Sequence, residues 1–263
     1  MARYLLTGAN GGMGRAICRA LADKGDEVVG LDLAASETPT PWTVIPTDLC
    51  DTASLAAAFE TVAAGGRLDG VIHAAGIYDL GSLIEMGEDE FLRVFNVNLF
   101  GAYRVNRLAL PLFAPGARIV LITSELAPLA PLPFTGIYAV TKTALDAYAD
   151  ALRMELQLLG YPVAVIRPGA VDTGMLPAST AALDRFCEAT ELYPVNAARF
   201  KGIVDRVEAK KVPPEKLARV VLRALSKKKP KPVYCLNRNP LLRLLACLPK
   251  RAQLRIIRRV LKK

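Results

Sequence analysis

Short apolar segments alternate with helical patterns along the first two thirds of this chain, and that alternation constrains its fold more than any other feature. The apolar segments predict six strands, at Arg3–Thr7, Glu27–Leu33, Trp42–Ile45, Leu68–Ala75, Ala117–Thr123 and Pro162–Ile166. Helical periodicity predicts helices at Gly14–Lys24, from about Thr52, over Glu88–Leu110 and over Tyr138–Leu159. Strands joined through helices pair in parallel by right-handed crossovers. The sequence therefore predicts a doubly wound α/β domain, with a parallel sheet covered on both faces.

Composition indicates one globular domain without a disulfide framework or a metal site. At 263 residues, 52% of them apolar, the chain can bury one substantial core. It has no uninterrupted run of about 18 apolar residues, the length that a membrane-spanning helix needs. The five cysteines are scattered without a CxxC pair, which favours a reducing compartment. Because the first strand begins at once, without room for a signal peptide, we expect a cytoplasmic protein.

Charge is distributed unevenly along the chain. Residues 1–198 contain 13 Lys/Arg and 22 Asp/Glu, a net charge of −9, whereas residues 199–263 contain 21 Lys/Arg and 3 Asp/Glu, a net charge of +18. We therefore expect a domain over residues 1–237 and a basic tail over residues 238–263. In the tail, Leu254, Ile257 and Leu261 recur at helical spacing among arginines and lysines, which predicts a basic amphipathic helix.

Three roles are open for this tail. It can pack its apolar side on the domain or on a partner subunit. It can also make peripheral contact with an anionic membrane, since basic residues and apolar side chains both contribute to such binding. Nucleic acid is the weaker alternative and is not expected as a partner, because the tail has no aromatic residue interleaved for base stacking.

A glycine-rich turn, TGANGGMG at Thr7–Gly14, lies between the first strand and the first helix. A pyrophosphate needs backbone N–H groups aimed at it with no side chain between, and the helix N-terminus adds the positive end of its dipole. The strand before the turn and the helix after it distinguish a dinucleotide site from an ordinary glycine-rich turn. The sequence therefore predicts a Rossmann-type dinucleotide site here.

Asp32 lies 24 residues after Gly8, at the end of the second predicted strand. An acidic residue at that position accepts hydrogen bonds from the adenosine ribose. Its carboxylate would repel the 2′-phosphate of NADP, and the neighbouring Gly11 and Leu33 carry no compensating positive charge. An Asp in a turn is the alternative interpretation of this residue alone. With the glycine turn, we expect NAD as the cofactor rather than NADP.

Tyr138 and Lys142 are four residues apart, so a helix places them on one face, one turn apart. A cation near a tyrosine favours the phenolate and lowers the tyrosine pKa from its ordinary value of about 10. Such a residue can accept the proton of an alcohol or donate a proton to a ketone. Helical Tyr–Lys pairs are common, so this pair is informative only together with the glycine turn and the strand order.

Taken together, these motifs resemble the short-chain dehydrogenase/reductase family, in its one-domain branch, over nearly the whole chain. The resemblance implies a nicotinamide-dependent alcohol dehydrogenase or ketone reductase with no metal. It identifies the catalytic residues as Asn98, Ser124, Tyr138 and Lys142. It identifies the cofactor-binding residues as Thr7, Gly8, Asn10, Gly12, Met13, Gly14, Asp32, Asp48, Leu49, Ala74, Ala75, Gly76, Tyr138, Lys142, Pro168, Gly169, Val171 and Thr173.

The resemblance also implies how these residues act. Ser124 would hydrogen-bond the reacting oxygen, Asn98 would complete a proton relay, and Lys142 would also hold the nicotinamide ribose. The Pro168–Thr173 segment would position the carboxamide. A homodimer or homotetramer would form through the helices predicted at Glu88–Leu110 and Tyr138–Leu159.

Two features depart from the family pattern. His73-Ala74-Ala75-Gly76 stands where the family has NNAG, and we expect His73 to be a buried structural residue. Ser124 lies 14 residues before Tyr138, one more than the family spacing, and Glu125 occupies the usual offset.

By the same resemblance, residues 174–213 form a helical lid over the substrate. The lid is rich in apolar side chains, namely Met175, Leu176, Leu183, Phe186, Leu192, Tyr193 and Phe200. An apolar lid suits a hydrophobic secondary alcohol or ketone, such as a steroid, a retinoid or another lipid-like compound. The C-terminal segment is similar to steroid- and retinol-dehydrogenase-like members.

Two other classes of function remain open. A non-catalytic NAD-sensing or nucleic-acid-binding protein would explain the basic C-terminal quarter, but not the Tyr–Lys pair. A sugar-nucleotide epimerase shares that pair, yet it usually has a TGxxGxxG turn and a longer C-terminal domain.

Overall fold

A computed structural model describes residues 1–129, 132–208 and 210–262; the side chains of residues 175–179, 207 and 208 lie outside this description. Within it, seven strands form one sheet. They are β1 Arg3–Thr7, β2 Glu27–Asp32, β3 Thr43–Pro46, β4 Leu68–His73, β5 Phe113–Ile122, β6 Val163–Pro168 and β7 Val233–Leu236. The strand order is β3-β2-β1-β4-β5-β6-β7, and every neighbouring pair is parallel. The predicted doubly wound α/β fold is confirmed.

The described residues form ten α-helices: α1 Gly12–Ala22, α2 Thr52–Ala64, α3 Glu88–Phe95, α4 Gly101–Ala109, α5 Gly136–Leu156, α6 Met175–Ala189, α7 Pro194–Glu208, α8 Pro214–Ser226, α9 Pro240–Ala246 and α10 Lys250–Leu261. The helix predicted over Glu88–Leu110 is divided, because a π-helical turn at Asn96–Phe100 separates α3 from α4. The apolar periodicity of the sequence does not show the extra residue that a π-helical turn inserts, so the prediction gave one continuous helix. The π-turn carries Asn98, a predicted catalytic residue.

The core occupies both faces of the sheet. Successive side chains of a strand point to opposite faces, so Leu5 packs with residues of α2, α4 and α5, whereas Leu6 packs with residues of α1 and α8. All six predicted strands are present, with ends that differ by up to four residues. Because all the strands are parallel, their carboxyl ends lie along one edge of the sheet.

The seventh strand, β7, is not among the predicted strands; it is a four-residue segment that follows a run of lysines and prolines. Its pairing with β6 brings the chain back to the carboxyl edge of the sheet. Helices α9 and α10 follow from that edge, and the predicted tail helix is confirmed as α10. A third apolar cluster joins the lid helices to the tail through Leu183, Phe200, Val204 and Leu261.

Candidate active site

A cleft of about 820 Å³ lies at the carboxyl edge of the sheet, where the strand order reverses between β1 and β4. Open α/β sheets bind ligands at such a switch point. Most of the predicted cofactor-binding residues line this cleft: Gly8, Asn10, Gly12, Met13, Gly14, Asp32, Asp48, Leu49, Ala74, Ala75, Gly76 and Thr173.

The glycine turn leaves no room for side chains. Gly8 has φ of +77°, and a Cβ there would lie 2.7 Å from the Cα of Ala75. A Cβ on Gly12 would lie 2.7 Å from the Cβ of Thr173. Within the described residues, no side chain caps the start of α1, so its first N–H groups are directed toward the cleft. This cradle fits the pyrophosphate of a dinucleotide.

Asp32 lines the cleft and is held in place by backbone hydrogen bonds. Its Oδ2 accepts a hydrogen bond from the N–H of Asn10 at 2.8 Å, and its Oδ1 accepts one from the N–H of Leu33 at 2.8 Å. The Asn10 amide donates to the carbonyl of Ala34 at 2.7 Å, which closes the turn beside Asp32. Arg15 lines the same cleft and is a positive charge that the glycine motif does not include.

Thr7 and Asn98 lie behind the cleft and brace it. The Thr7 hydroxyl accepts a hydrogen bond from the N–H of Ala75 at 3.3 Å. Asn98 accepts one from the N–H of Ile77 at 2.8 Å, and it donates to the Ile77 carbonyl and to the Thr141 hydroxyl, both at 3.0 Å. These bonds attach the segment after β4 to α5. Among the described contacts, Asn98 makes no direct hydrogen bond to Lys142.

The predicted catalytic pair lies on α5. Tyr138 makes a hydrogen bond with the side chain of Ser124, at the end of β5. Lys142 Nζ lies 5.8 Å from the centroid of the Tyr138 ring and donates to the carbonyl of Ile122 at 3.2 Å. A Cβ on Gly76 would lie 3.2 Å from both Lys142 Nζ and Asn98 Oδ1. The fold therefore brings all four predicted catalytic residues to one place.

Burial controls the protonation of this pair. It raises the pKa of Tyr138 to about 12, against the effect of the Ser124 hydrogen bond, and it lowers the pKa of Lys142 to about 8. From the sequence we expect a pKa of Tyr138 below its ordinary value, whereas in the structure it lies above that value, because burial outweighs the hydrogen bond with Ser124. Desolvation disfavours the charged form of both groups. At neutral pH Tyr138 carries its proton and is placed to donate it.

His73 is buried, as predicted, and lies away from the reacting groups. Its Nε2 lies 2.8 Å from the amide oxygen of Asn106, whose amide nitrogen donates to the hydroxyl of Tyr148 at 3.0 Å. Burial lowers the pKa of His73 to about 4. The imidazole is therefore neutral at pH 7 and links β4 to α4.

A second cavity, of about 170 Å³, adjoins the cleft, and Gly76, Tyr78 and Thr173 line both. Tyr138, Ser124 and Lys142 line it together with Pro168, Gly169, Val171 and Thr173. Its other walls are mainly apolar and come from several elements: Tyr78, Ile122, Leu132, Phe200, Ile203, Val204 and Leu242. The reacting groups thus face an apolar chamber.

The lid predicted over 174–213 consists of α6, α7 and their connections. Phe200 lines the cavity, while Leu183 and Tyr193 pack in the apolar cluster beneath the lid. Leu192 is exposed. The side chains of Met175 and Leu176 lie outside the described residues.

Two contributors to the cavity are absent from the sequence motifs. The Tyr78 ring packs edge-on against Tyr138, with 4.4 Å between the ring centroids. Glu125 is buried beside Ser124, and its Oε2 accepts a hydrogen bond from the N–H of Asn239 at 2.6 Å. Burial raises the pKa of Glu125. In the sequence, Glu125 stood out only as the residue at the usual offset of the catalytic serine, which did not indicate its hydrogen bond with Asn239.

The family model described as short chain dehydrogenase matches residues 3–184. This chain belongs to the short-chain dehydrogenase family. Members bind a nicotinamide cofactor and generally oxidise CH–OH groups or reduce keto groups. The match favours the oxidoreductase over the epimerase and over the non-catalytic alternatives.

Curated relatives and solved structures agree with this family. This chain is 26% identical over 228 residues to the 3-ketodihydrosphingosine reductase of Bacteroides thetaiotaomicron, and the match covers 86% of this chain and 84% of that protein. It is 30% identical over 205 residues to human 17-beta-hydroxysteroid dehydrogenase type 1, covering 75% of this chain and 61% of that protein. The predicted likeness to steroid-dehydrogenase-like members is confirmed.

Among solved structures, 3-ketoacyl-(acyl-carrier-protein) reductase from Brucella melitensis, complexed with NADH, has the same fold. Its TM-score is 0.72 at 22% identity, covering 90% of this chain and 96% of that chain.

Proposed function

We propose that this short-chain dehydrogenase transfers a hydride between NAD and a hydrophobic secondary alcohol or ketone. The observation that carries the proposal is the hydrogen-bonded Tyr138–Ser124 pair, which lines an apolar cavity next to a glycine-lined cleft. The proton is transferred at the oxygen and the hydride at the carbon of one carbon–oxygen bond. That bond would therefore lie where the apolar cavity joins the glycine-lined cleft.

In the proposed mechanism, Tyr138 is the acid–base residue. In the direction of reduction, its hydroxyl donates a proton to the substrate oxygen while Ser124 hydrogen-bonds the same oxygen. The positive charge of Lys142 stabilises the phenolate that remains, and Asn98 holds the Ile77 backbone and α5 in register. When bound, the nicotinamide supplies or accepts the hydride. Oxidation of an alcohol is the reverse, with Tyr138 accepting the proton.

NAD is the proposed cofactor because the Asp32 carboxylate lies where the adenosine ribose would bind. A 2′-phosphate at this position would meet a negative charge, whereas ribose hydroxyls can donate to it. Arg15 opposes this preference, since it adds a positive charge to the same cleft. Hydrogen bonds from the N–H groups of Asn10 and Leu33 hold the Asp32 carboxylate beside the turn, and we expect it to dominate.

A hydrophobic substrate is proposed from the walls of the catalytic cavity. Phe200, Ile203 and Val204 of α7 and Leu242 of α9 offer it apolar surface. Two relatives are named for reactions of a sphingoid ketone and of a hydroxysteroid, both largely apolar compounds. A small polar substrate would leave these walls in contact with water.

A panel of alcohols and ketones tests this function. Long-chain ketones, steroids and retinoids are compared with small polar ketones, each with NADH and with NADPH, by following the absorbance of the reduced nicotinamide. We expect the highest kcat/KM for an apolar ketone with NADH. Turnover of small polar compounds alone would contradict the proposed substrate class.

We also propose a homodimer or homotetramer formed through α3, α4 and α5. These helices and the turn between them expose large apolar side chains: Leu92, Phe100, Tyr103, Leu108, Val140 and Met154. Burying such side chains between subunits is favourable. Light scattering that reports only the 28.3 kDa monomer would contradict this proposal.

A further inference from the structure

The C-terminal tail combines high positive charge with a complete lack of acidic residues. Residues 238–263 contain nine Lys/Arg and no Asp/Glu. In the described part of the tail, none of these basic side chains forms a salt bridge with the rest of the chain. The charge is therefore open to an anionic partner.

The beginning of the tail is attached to the active-site loops. The N–H of Asn239 donates to Glu125, and the amide of Asn237 donates to the carbonyls of Ala170 and Lys210 at 2.9 and 2.8 Å. Asn237 has φ of +53°, a conformation that asparagine tolerates better than most residues. The tail thus has a defined position beside the catalytic cavity.

The two tail helices form one unit that packs on the lid through one side only. Gln253 of α10 donates to the carbonyl of Leu248 at 2.8 Å, which fixes the turn after α9. Ile257 and Leu261 pack in the apolar cluster beneath the lid, and Asn196 of α7 donates to the carbonyl of Leu261 at 2.7 Å. Packing on the domain therefore accounts for the inner side of α10 and leaves its outer side uncovered.

The uncovered sides of α9 and α10 carry apolar residues among the basic ones. Leu241, Leu244 and Leu254 are 71%, 64% and 57% exposed. Three arginines of α10 and the lysine directly after it line a shallow surface depression: Arg255, Arg258, Arg259 and Lys262. Exposed leucines beside clustered arginines are typical of helices that lie at a membrane interface.

We propose that the outer surface of α9 and α10 docks on an anionic phospholipid bilayer. The clustered arginines would contact the lipid phosphates and carboxylates, and the exposed leucines would enter the boundary between headgroups and acyl chains. In the part of the chain that the structure describes, no helix is long and apolar enough to cross a membrane. Docking would thus be peripheral.

A lipid surface fits this tail better than a nucleic acid does. Both partners would neutralise the arginines, but a nucleic acid would leave the exposed leucines in water. The tail also has no aromatic side chain on which a base could stack.

Docking would bring lipid next to the catalytic cavity. Leu242, which lines the cavity, lies between Leu241 and Leu244 on α9. A membrane-dissolved substrate would then reach the cavity without crossing bulk water. The docking itself does not depend on the proposed reaction, because it is measured without turnover.

Sedimentation of the full chain with vesicles tests the proposal. Phosphatidylcholine vesicles with and without phosphatidylserine are compared at about 0.1 M and about 1 M salt, where the screening lengths are about 10 and 3 Å. We expect binding only with phosphatidylserine, and much weaker binding at the higher salt. Binding that does not depend on phosphatidylserine would overturn the proposal.

A matched pair of charge variants locates the surface. Arg255→Gln with Arg258→Gln and Arg259→Gln should lower vesicle affinity roughly 100-fold, since each basic residue contributes about fivefold. The control, Lys227→Gln with Lys228→Gln and Lys229→Gln, removes the same charge just before β7, at the opposite edge of the sheet, and should bind nearly as wild type. Equal losses in the two variants would show a general charge effect and would overturn the proposal.

A second pair tests the apolar contribution. Leu241→Ser with Leu244→Ser should weaken vesicle binding by roughly tenfold or more without changing the melting temperature, because both side chains are exposed. Leu158→Ser with Leu159→Ser, at a distant exposed turn, is the control. If random duplex DNA binds and vesicles do not, with binding lost in the arginine variant, the tail is a nucleic-acid surface and the proposal fails.

Discussion

The buried carboxylate of Glu125 accepts a hydrogen bond of 2.6 Å from the backbone N–H of Asn239, 114 residues later in the chain. Glu125 directly follows Ser124, and Asn239 is the N-cap of α9, so this bond joins the two. A Cβ on Gly169 would lie 2.8 Å from the other carboxylate oxygen, so Glu125 also touches the segment after β6. Glu125 therefore connects the loop after β5 with the segment after β6 and with the tail.

Glu125→Ala should lower the free energy of unfolding by about 1–3 kcal/mol, because it leaves the partly buried N–H of Asn239 without its acceptor. Glu125→Gln keeps an acceptor oxygen and the side-chain volume, so its loss should be smaller. Urea unfolding measures both, with the exposed Glu155→Ala as the control. An Ala variant as stable as wild type would show that the bond contributes nothing to stability.

Tyr138→Phe should reduce kcat by about 10²–10⁴-fold, since it removes the proposed acid–base group. Cofactor binding, followed by nicotinamide fluorescence, should survive because the glycine cradle is unchanged. Tyr103→Phe is the control, since Tyr103 is exposed on α4. Near-wild-type turnover in Tyr138→Phe would refute the proposed mechanism.

Asp32→Ser combined with Leu33→Arg should shift the kcat/KM preference from NAD toward NADP. The carboxylate that repels a 2′-phosphate is removed, and a cation is added at an exposed position of the cleft. Arg15→Ala, tested separately, should strengthen the wild-type preference for NAD. A wild-type enzyme that already prefers NADP would show that Arg15 dominates over Asp32.

Burying Lys142 should make stability depend on pH. Its pKa is lowered from 10.5 to about 8, so between these values the unfolded chain binds more protons and stability rises with pH, by about 3 kcal/mol over the window. Below pH 8 the full penalty of the buried charge is present. Lys142→Met should therefore be more stable than wild type at pH 7 and should lose that advantage by pH 10.5. Chemical unfolding of both proteins across this range checks the sign.

His73 should destabilise the fold in acid. Its pKa is lowered from 6.5 to about 4, so the unfolded chain binds more protons between these values and stability falls as pH decreases, by up to about 3 kcal/mol. His73→Gln retains an N–H donor for Asn106 without a titrating group. As the pH falls from 6.5 toward 4, the wild type should therefore lose stability relative to His73→Gln. A difference that does not change with pH would contradict the lowered pKa.

Local sequence patterns predict the fold class and bring most residues of the candidate site to one edge of the sheet. Alternating strand and helix patterns specify a parallel sheet, and the carboxyl ends of parallel strands meet at one edge. That rule is sufficient to bring Gly8, Asp32, Ser124 and Pro168 together without knowledge of any contact. The spacing of Tyr138 and Lys142 places them on one helical face for an equally local reason.

Properties that depend on contacts between distant segments follow from the tertiary structure and have no local sequence signal. The raised pKa of Tyr138 follows from desolvation by surrounding residues, among them Tyr78, and no local pattern encodes burial of that kind. The roles of Glu125 and Leu242 depend on β7, a strand that the sequence did not predict, which returns the tail to the active site. The sequence specified which elements form, whereas desolvation and long-range packing set the protonation state and the walls of the site.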